Sequence, residues 1–470
     1  MDSNNTLPIS IGQDVATVHP EYAYYYDQWD EMRDHLQGQR RIKQEGTKYL
    51  PMLGDENDED DRRQYKGYLE RALYYEATKR THEALTGAVL SKPPVLSGFD
   101  AEKYEEAFEQ VTMDGYSFNT FVRNVISELV AVSRVGVLVE RSQDGESVYF
   151  VQYNTEDIVN WRFQRVADQV KLTMVVLQER HVVEKGRFSS EEQIRYRVLE
   201  LTDGIYTQSV FNELRNDKGE LAGYTQTEEV VPVNVGEPLS YIPFVFFSPL
   251  GNVPHVSPPV LSSVAAINTS HYRTSADLEH GRHFTGLPTA WVAGFDTDTR
   301  LQIGSQIAWV SDNPQARAGF LEFTGAGLTT LERALMEKQE QMATMGARML
   351  RPPRAGVEAA ETARIYQSAE TGALANLATA AAESFTALLR TWLRWQGDEE
   401  PAAVSLNTDY VDSRLSGQDL TALLSAWQTG AISYDTLFYN MKQGEIVPDA
   451  VTVEDERDRI AQDGPSTEPE

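Results

Sequence analysis

Hydrophobic positions change period along this chain. In residues 21–29, which are rich in aromatics, and from 64 to 90, the pattern predicts helix; in the second stretch Tyr68, Leu69, Ala72, Leu73, Leu85 and Val89 recur at three- and four-residue spacings. The acidic run Asp55-Glu56-Asn57-Asp58-Glu59-Asp60-Asp61 between them reads as a solvated loop whose carboxylates favour the positive end of the following helix. Pro93-Pro94 ends the segment, since proline donates no backbone hydrogen bond and disfavours helix in the residue before it. Another helix is expected over 118–132. From about 134 to 248 the signal changes to strands. Residues 135–139 and 148–151 flank the turn residues Asp144-Gly145, while Ile194, Tyr196 and Val198 alternate with Arg195 and Arg197. Asp203-Gly204 then turns into 205–211. An antiparallel block with one wet face is predicted.

Helical spacing returns over 258–283, where Val260, Val264, Ile267, His271 and Leu278 fall on one stripe. Residues 285–323 are short and mixed, with Pro288, Gly294, Gly304, Pro314 and Gly319 as punctuation and brief strands expected at 289–292 and 307–310. Thr329-Thr330-Leu331-Glu332 fits a capping box opening a second helix. Its seam of Leu328, Leu331, Leu335, Met342, Met345 and Met349 is broken only by Lys338, and Pro352-Pro353 stops it. An alanine-dense helix is expected over 359–396, a strand over 404–410, a helical pair over 418–444, and a frayed acidic tail after Val453. No internal repeat is present.

Composition narrows the function. The chain has 470 residues, 41% hydrophobic and 24% charged, which is globular and large enough for more than one domain. Its formal net charge is −29, with 71 acidic against 42 basic residues. A protein that grips duplex DNA needs clustered cations to release phosphate counterions, so this balance opposes static binding. It serves solubility, and it also suits a surface that must not adhere to DNA. Without cysteine there is no disulfide and no thiolate metal site, as suits a reducing cytoplasm. The opening MDSNNTLPISIG has no basic or apolar region of a signal peptide, and the most apolar stretch, 241–250, is far below the ~20 residues of a spanning helix. A soluble protein that does not engage a membrane is expected.

Several segments, in order, resemble the portal proteins of tailed bacteriophages, and in particular a subfamily long catalogued as a domain of unknown function. They are RALYYEATKRTHEALTGAVLSKPP (71–94), NTEDIVNWRF (154–163), SHYRTSADLEHGRHFTGLPT (270–289), AGFLEFTGAGLTTLERAL (318–335), ETARIYQSAET (361–371) and LLSAWQTGAIS (423–433). Their colinear order, from about 49 to 455, carries the resemblance. It implies an α+β portal fold: an N-terminal arm (1–20), a helical then β-rich wing (20–257), stem helix 1 (258–284), a small mixed clip (285–325) and stem helix 2 (326–346). A tunnel loop (347–358), a long wing helix and strand (359–415), a crown (416–455) and an acidic flexible tail (456–470) complete it. The resemblance further implies a dodecameric ring in the virion, at one head vertex, assembled in the host bacterial cytoplasm. Such a ring docks the terminase large subunit and a head–tail adaptor, meets major capsid and scaffolding proteins, and passes double-stranded DNA without sequence specificity.

Candidate residues follow. Arg348, Arg351 and Arg354 at the break after the second stem helix are candidates for phosphate contact in the channel, or for complementing a helix C-terminus. Lys338 and Arg333 are candidate channel cations, or solvated helix charges. Trp291 and Trp309 are candidate anchors of a clip interface, or fill the clip's small core. His271, His280 and His283 with Asp277 and Glu279 lack an HExxH spacing, so no metal is expected. Gly325-Ala326-Gly327 opens a helix without completing a dinucleotide fingerprint, since Thr330 takes the third glycine's place. No phosphate loop and no nucleophile elbow occur, so neither cofactor nor catalytic chemistry is expected. Another head–tail structural protein such as an adaptor, and an enzyme with an unrecognised site, are the rival readings.

Overall fold

The computed structural model describes residues 14–463 except 53, 143, 144, 146, 167, 287, 288, 296–308, 322–324, 326, 348–358, 409, 411–416, 445 and 448–450. Residues 1–408 and 409–470 form separate units.

In the first unit, α1 (Pro20–Gln37) starts at His19, whose Nδ1 accepts from the Glu21 amide (3.2 Å). Gly38, at φ +85°, then bends the chain into α2 (Gln39–Gln44). The acidic run does what its position predicts: Asp58 caps α3 (Glu59–Arg71) by accepting from the amides of Asp60 (2.8 Å) and Asp61 (3.0 Å). The helix expected over 64–90 is interrupted, however. Ala72 leaves helical geometry (ψ 137°), and α4 (Ala77–Val89) begins five residues later. Its first amide, at Ala77, donates to Tyr75 O (2.7 Å) and to Asn268 Oδ1 (3.1 Å), so a tight local turn and a side chain distant in sequence replace the acceptor a continuous helix would supply.

Next come β1 (Val95–Ser97), α5 (Glu105–Glu109) and α6 (Phe118–Val132). Ser117 caps α6, and Ser133 ends it at φ 60°, its hydroxyl donating to Pro258 O (3.0 Å). The β-rich block follows as read. β2 (Val135–Arg141) and β3 (Val148–Asn154) form a hairpin. β4 (Ile158–Val166), β5 (Gln169–Gly186), β6 (Ser189–Thr202), β7 (Ile205–Arg215) and β8 (Leu221–Val230) make an antiparallel meander in sequence order. β9 (Val233–Asn234) pairs with β10 (Glu237–Pro238), and β11 (Phe244–Phe247) adds to β2. Gly136 permits that addition: a Cβ there would lie 2.2 Å from Cζ of Phe244 and 2.6 Å from Cδ1 of Ile158.

Arg134, fully buried, stacks its guanidinium over Trp161 (3.9 Å to the ring centre) and Phe246 (5.2 Å). None of its side-chain nitrogens has a hydrogen-bond partner among the described residues, and burial pulls its pKa down to about 9.

α7 (Ser262–Gly286) leads to a hairpin of β12 (Thr289–Ala293) and β13 (Arg317–Leu321). The hairpin's second strand is therefore 317–321 rather than 307–310, of which 307 and 308 lie outside the described residues and 309 and 310 are irregular. α8 (Leu328–Met342) then begins at Gly327 without a side-chain cap, which corrects the capping-box reading. Thr329 and Thr330 lie inside the helix, and Glu332 binds Arg282 instead. A π-helical turn, Ala343–Ala347, continues α8. Its wider turn shifts the seam, so Met342 is buried while Met345 is exposed.

α9 (Ala359–Trp395) is as long as predicted. Its buried Leu377, Ala381, Phe385, Leu388 and Trp392 form a helical stripe against the sheet and α6. Trp392 Nε1 donates to Val148 O (2.9 Å), and Phe385 meets Phe121 and Phe247. β14 (Ala403–Ser405) is shorter than the expected 404–410 strand and pairs with β1. The architecture is α+β.

The second unit contains α10 (Gly417–Gln428), α11 (Tyr434–Gln443) and α12 (Val453–Asp463). α12 corrects the flexible-tail expectation up to residue 463. Thr452 and Asp455 cap it reciprocally: the Asp455 amide donates to Thr452 Oγ1 (3.1 Å) and the Thr452 amide to Asp455 Oδ2 (3.0 Å).

Candidate functional site

The candidate site is the α7–α8 pair with the hairpin it carries. α7 is anchored among the N-terminal helices. Its Tyr272 and Ala276 lie in a buried cluster with Ile42, Tyr49, Leu50, Ala72 and Tyr74. Arg273 Nε donates to Tyr49 O (2.8 Å), and Tyr68 donates to Asp277 (2.6 Å) from α3. Further along, Arg71 meets His280 Nδ1 at 3.1 Å. These contacts hold α7 against α3 and the segment before it.

α8 returns antiparallel along α7. Leu328 packs on Gly281, where a Cβ would meet Leu328 Cδ2 at 2.6 Å, and Arg282 bridges Glu279 and Glu332, each at 2.8 Å. Lys338 faces α7: its ammonium donates to Ser270 O (3.1 Å) and Thr274 Oγ1 (2.5 Å), and burial holds its pKa below the usual lysine value. Beside it His271 is 4% exposed. Gln339 Nε2 donates to His271 Nε2 (3.1 Å), so that nitrogen carries the lone pair and the proton sits on Nδ1, which is buried without a partner among the described residues. Burial first, and Lys338 second, hold the imidazole at a pKa of about 4. In Lys338→Met the second cause disappears, so the His271 resonances should titrate at higher pH by NMR; an unmoved midpoint would refute the coupling.

Arg333 is exposed and pairs with Glu337 (3.0 Å). The basic side chains of α7 and α8 are thus each engaged by the protein: Arg273 and Lys338 through carbonyl oxygens, Arg282 and Arg333 by glutamates. Arg348, Arg351 and Arg354 lie outside the described residues. No group of His, Asp and Glu able to hold a metal occurs among the described residues. His280 and His283 both pack on Phe284, and His280 also contacts Arg71, while His271 faces Gln339 and stands apart from them.

The hairpin displays Trp291, 44% exposed, opposite Gly319, and exposed Phe320 opposite Ala290. Trp309 is half-buried. Phe320 was not singled out in the sequence, because without its strand register nothing distinguishes it from a core residue. No helix among the described residues is long and apolar enough to cross a membrane.

A family model described as "Domain of unknown function (DUF4055)" matches residues 260–396, which span α7, the hairpin, α8 and α9. No curated protein sequence matches the chain. Among solved structures, the neck of an empty gene transfer agent (GTA) particle, computed with C6 symmetry, is similar at 12% identity with a TM-score of 0.39, over 77% of this chain and 88% of its own. The virion of the native GTA particle is similar at 10% identity and a TM-score of 0.39, over 79% and 91%. The neck of the native GTA particle, computed with C12 symmetry, is similar at 10% identity and a TM-score of 0.34, over 77% and 88%.

Proposed function

We propose that this chain is a portal subunit of a tailed phage or phage-like particle: a non-enzymatic, ring-forming conduit for DNA at one vertex of the head. The observation that carries the reading is the antiparallel α7–α8 pair, anchored among the N-terminal helices and joined through a two-stranded hairpin. The pair's cations are spent on the protein itself, which leaves weak attraction for phosphate. A channel that must let DNA slide needs that weakness. The hairpin has too few strands to be stable alone, and its exposed Trp291 and Phe320 suit packing against neighbouring subunits or a docked motor.

In this reading α7 and α8 line the channel, and Arg348, Arg351 and Arg354 brush passing phosphates from the loop between α8 and α9. The hairpin recruits the terminase large subunit during packaging and the head–tail adaptor afterwards. Capsid and scaffolding proteins surround the wing. Mass photometry and negative-stain microscopy of the purified full chain test the reading. Closed rings with an axial hole are expected, with duplex DNA retained weakly at low salt and lost at physiological salt. A chain that stays monomeric as its concentration rises would overturn it.

A further inference from the structure

We propose that residues 5–10 of this chain, which lie outside the described residues, add as a strand to the open edge of β8. β8 is the last strand of its sheet and pairs only with β7, so along Leu221–Val230 the outward backbone groups have no hydrogen-bond partner among the described residues. An unpaired edge of this kind is a template for another strand, and proteins blunt it with proline, lysine or a covering segment. β8 contains neither proline nor lysine. Its bulges at Ala222 and Thr227 leave Gly223–Gln226 regular, and that stretch is where the added strand seats.

The path of the chain selects the occupant. Residues 17–19 run beside β4, at the opposite edge of the sheet: Thr17 O accepts from Asn160 Nδ2 (2.9 Å), and the His19 amide donates to Val159 O (2.8 Å). Upstream of them, Asp14 already stands near Tyr196 of β6 and Tyr224 of β8, whose rings meet edge to face at 5.3 Å. Burial raises the pKa of both phenols most, and the Asp14 carboxylate adds to the rise in each. Traced backwards, the chain therefore heads from β4 across the sheet toward β8. The edge of β8 lies two strand spacings beyond β6, roughly 10 Å, which three extended residues cover. The segment that arrives there has the pattern of a strand. Leu7, Ile9 and Ile11 alternate with Pro8, Ser10 and Gly12, and residues 3–13 carry no charged side chain. Parity assigns the contact. Pro8 has no N–H to give, so Leu7 and Ile9 present theirs to β8, while Pro8 faces outward and blunts the new edge.

Hydrogen exchange of the full chain, resolved to single residues by fragmentation mass spectrometry, tests the pairing. The amides of 223–226 that β7 does not engage should exchange at least about tenfold more slowly in the wild type than in a chain lacking residues 2–11, with β5 and β6 unchanged. Ile9→Pro removes a donor aimed at β8 and should match the deletion. Ser10→Pro places a second proline on the outward side, beside Pro8, and should keep the protection. Equal exchange in wild type and deletion, or equal loss in both proline variants, would overturn the proposal. Protection that appears only as chains associate would give the strand to a neighbouring copy and overturn the contact within one chain. None of these outcomes bears on whether the chain forms rings.

Discussion

Asp34→Ala should lower stability by about 2–4 kcal/mol, read as a fall in the urea midpoint of unfolding. Asp34 is 1% exposed on α1, and its carboxylate accepts from Arg41 Nε (2.6 Å), Lys48 Nζ (2.6 Å) and Tyr49 OH (2.8 Å). Removing it strands the buried Tyr49 hydroxyl in the cluster that roots α7. Arg41 and Lys48 are partly exposed and recover hydration, which keeps the loss below that of a fully buried pair. Burial raises the Asp34 pKa, but the hydrogen bonds from Lys48, Arg41 and Tyr49 outweigh it, and the carboxyl stays below the ordinary 3.8. The sign follows. Its contribution is complete above pH 3.8 and fades as pH falls from there through the lower folded value. Asp34→Asn keeps an acceptor for Tyr49 and should cost less than Asp34→Ala. An alanine variant within 0.5 kcal/mol of wild type, on the order of an ordinary surface substitution, would refute the anchoring role.

The second large effect is loss of stability on mild acidification through His271. The unfolded imidazole takes a proton near pH 6.5, whereas the folded one waits until about 4. Between these values the unfolded state binds more protons, so stability is full above pH 6.5, falls as pH drops, and levels off below about 4. The separation corresponds to roughly 3 kcal/mol at about 1.4 kcal/mol per unit. Urea midpoints at pH 7, 5.5 and 4.5 should decline in the wild type and decline distinctly less in His271→Gln, which has no titrating ring. Parallel declines would show that the acid sensitivity lies elsewhere. The contact between α7 and α8 would loosen first, because the added proton on Nε2 meets the Gln339 amide, another donor.

Local pattern carried much of the fold. Short apolar and β-branched runs between 134 and 248 predicted the strands, although β2 over Val135–Val139 and all of β11 are buried on both faces, and Asp203-Gly204 set the β6–β7 turn. The α12 cap was also legible as Thr452 followed by Asp455, yet high charge argued for a frayed tail; reciprocal capping decided for helix. Two errors share a cause. The break at 72–76 and the missing cap at α8 both arise where a distant residue, Asn268 or Arg282, claims a group that local reading assigns to its own helix.

Lys338 divides the two kinds of information most clearly. The sequence by itself determined that a cation interrupts a leucine–methionine seam, because side-chain period along a helix is a local quantity. Only the tertiary structure decided what that cation does. Its acceptor, Ser270 O, lies 68 residues away, and the bond exists because the intervening hairpin folds α8 back along α7. Hydrogen bonds of this length in sequence depend on loop closure and packing, which no local pattern encodes.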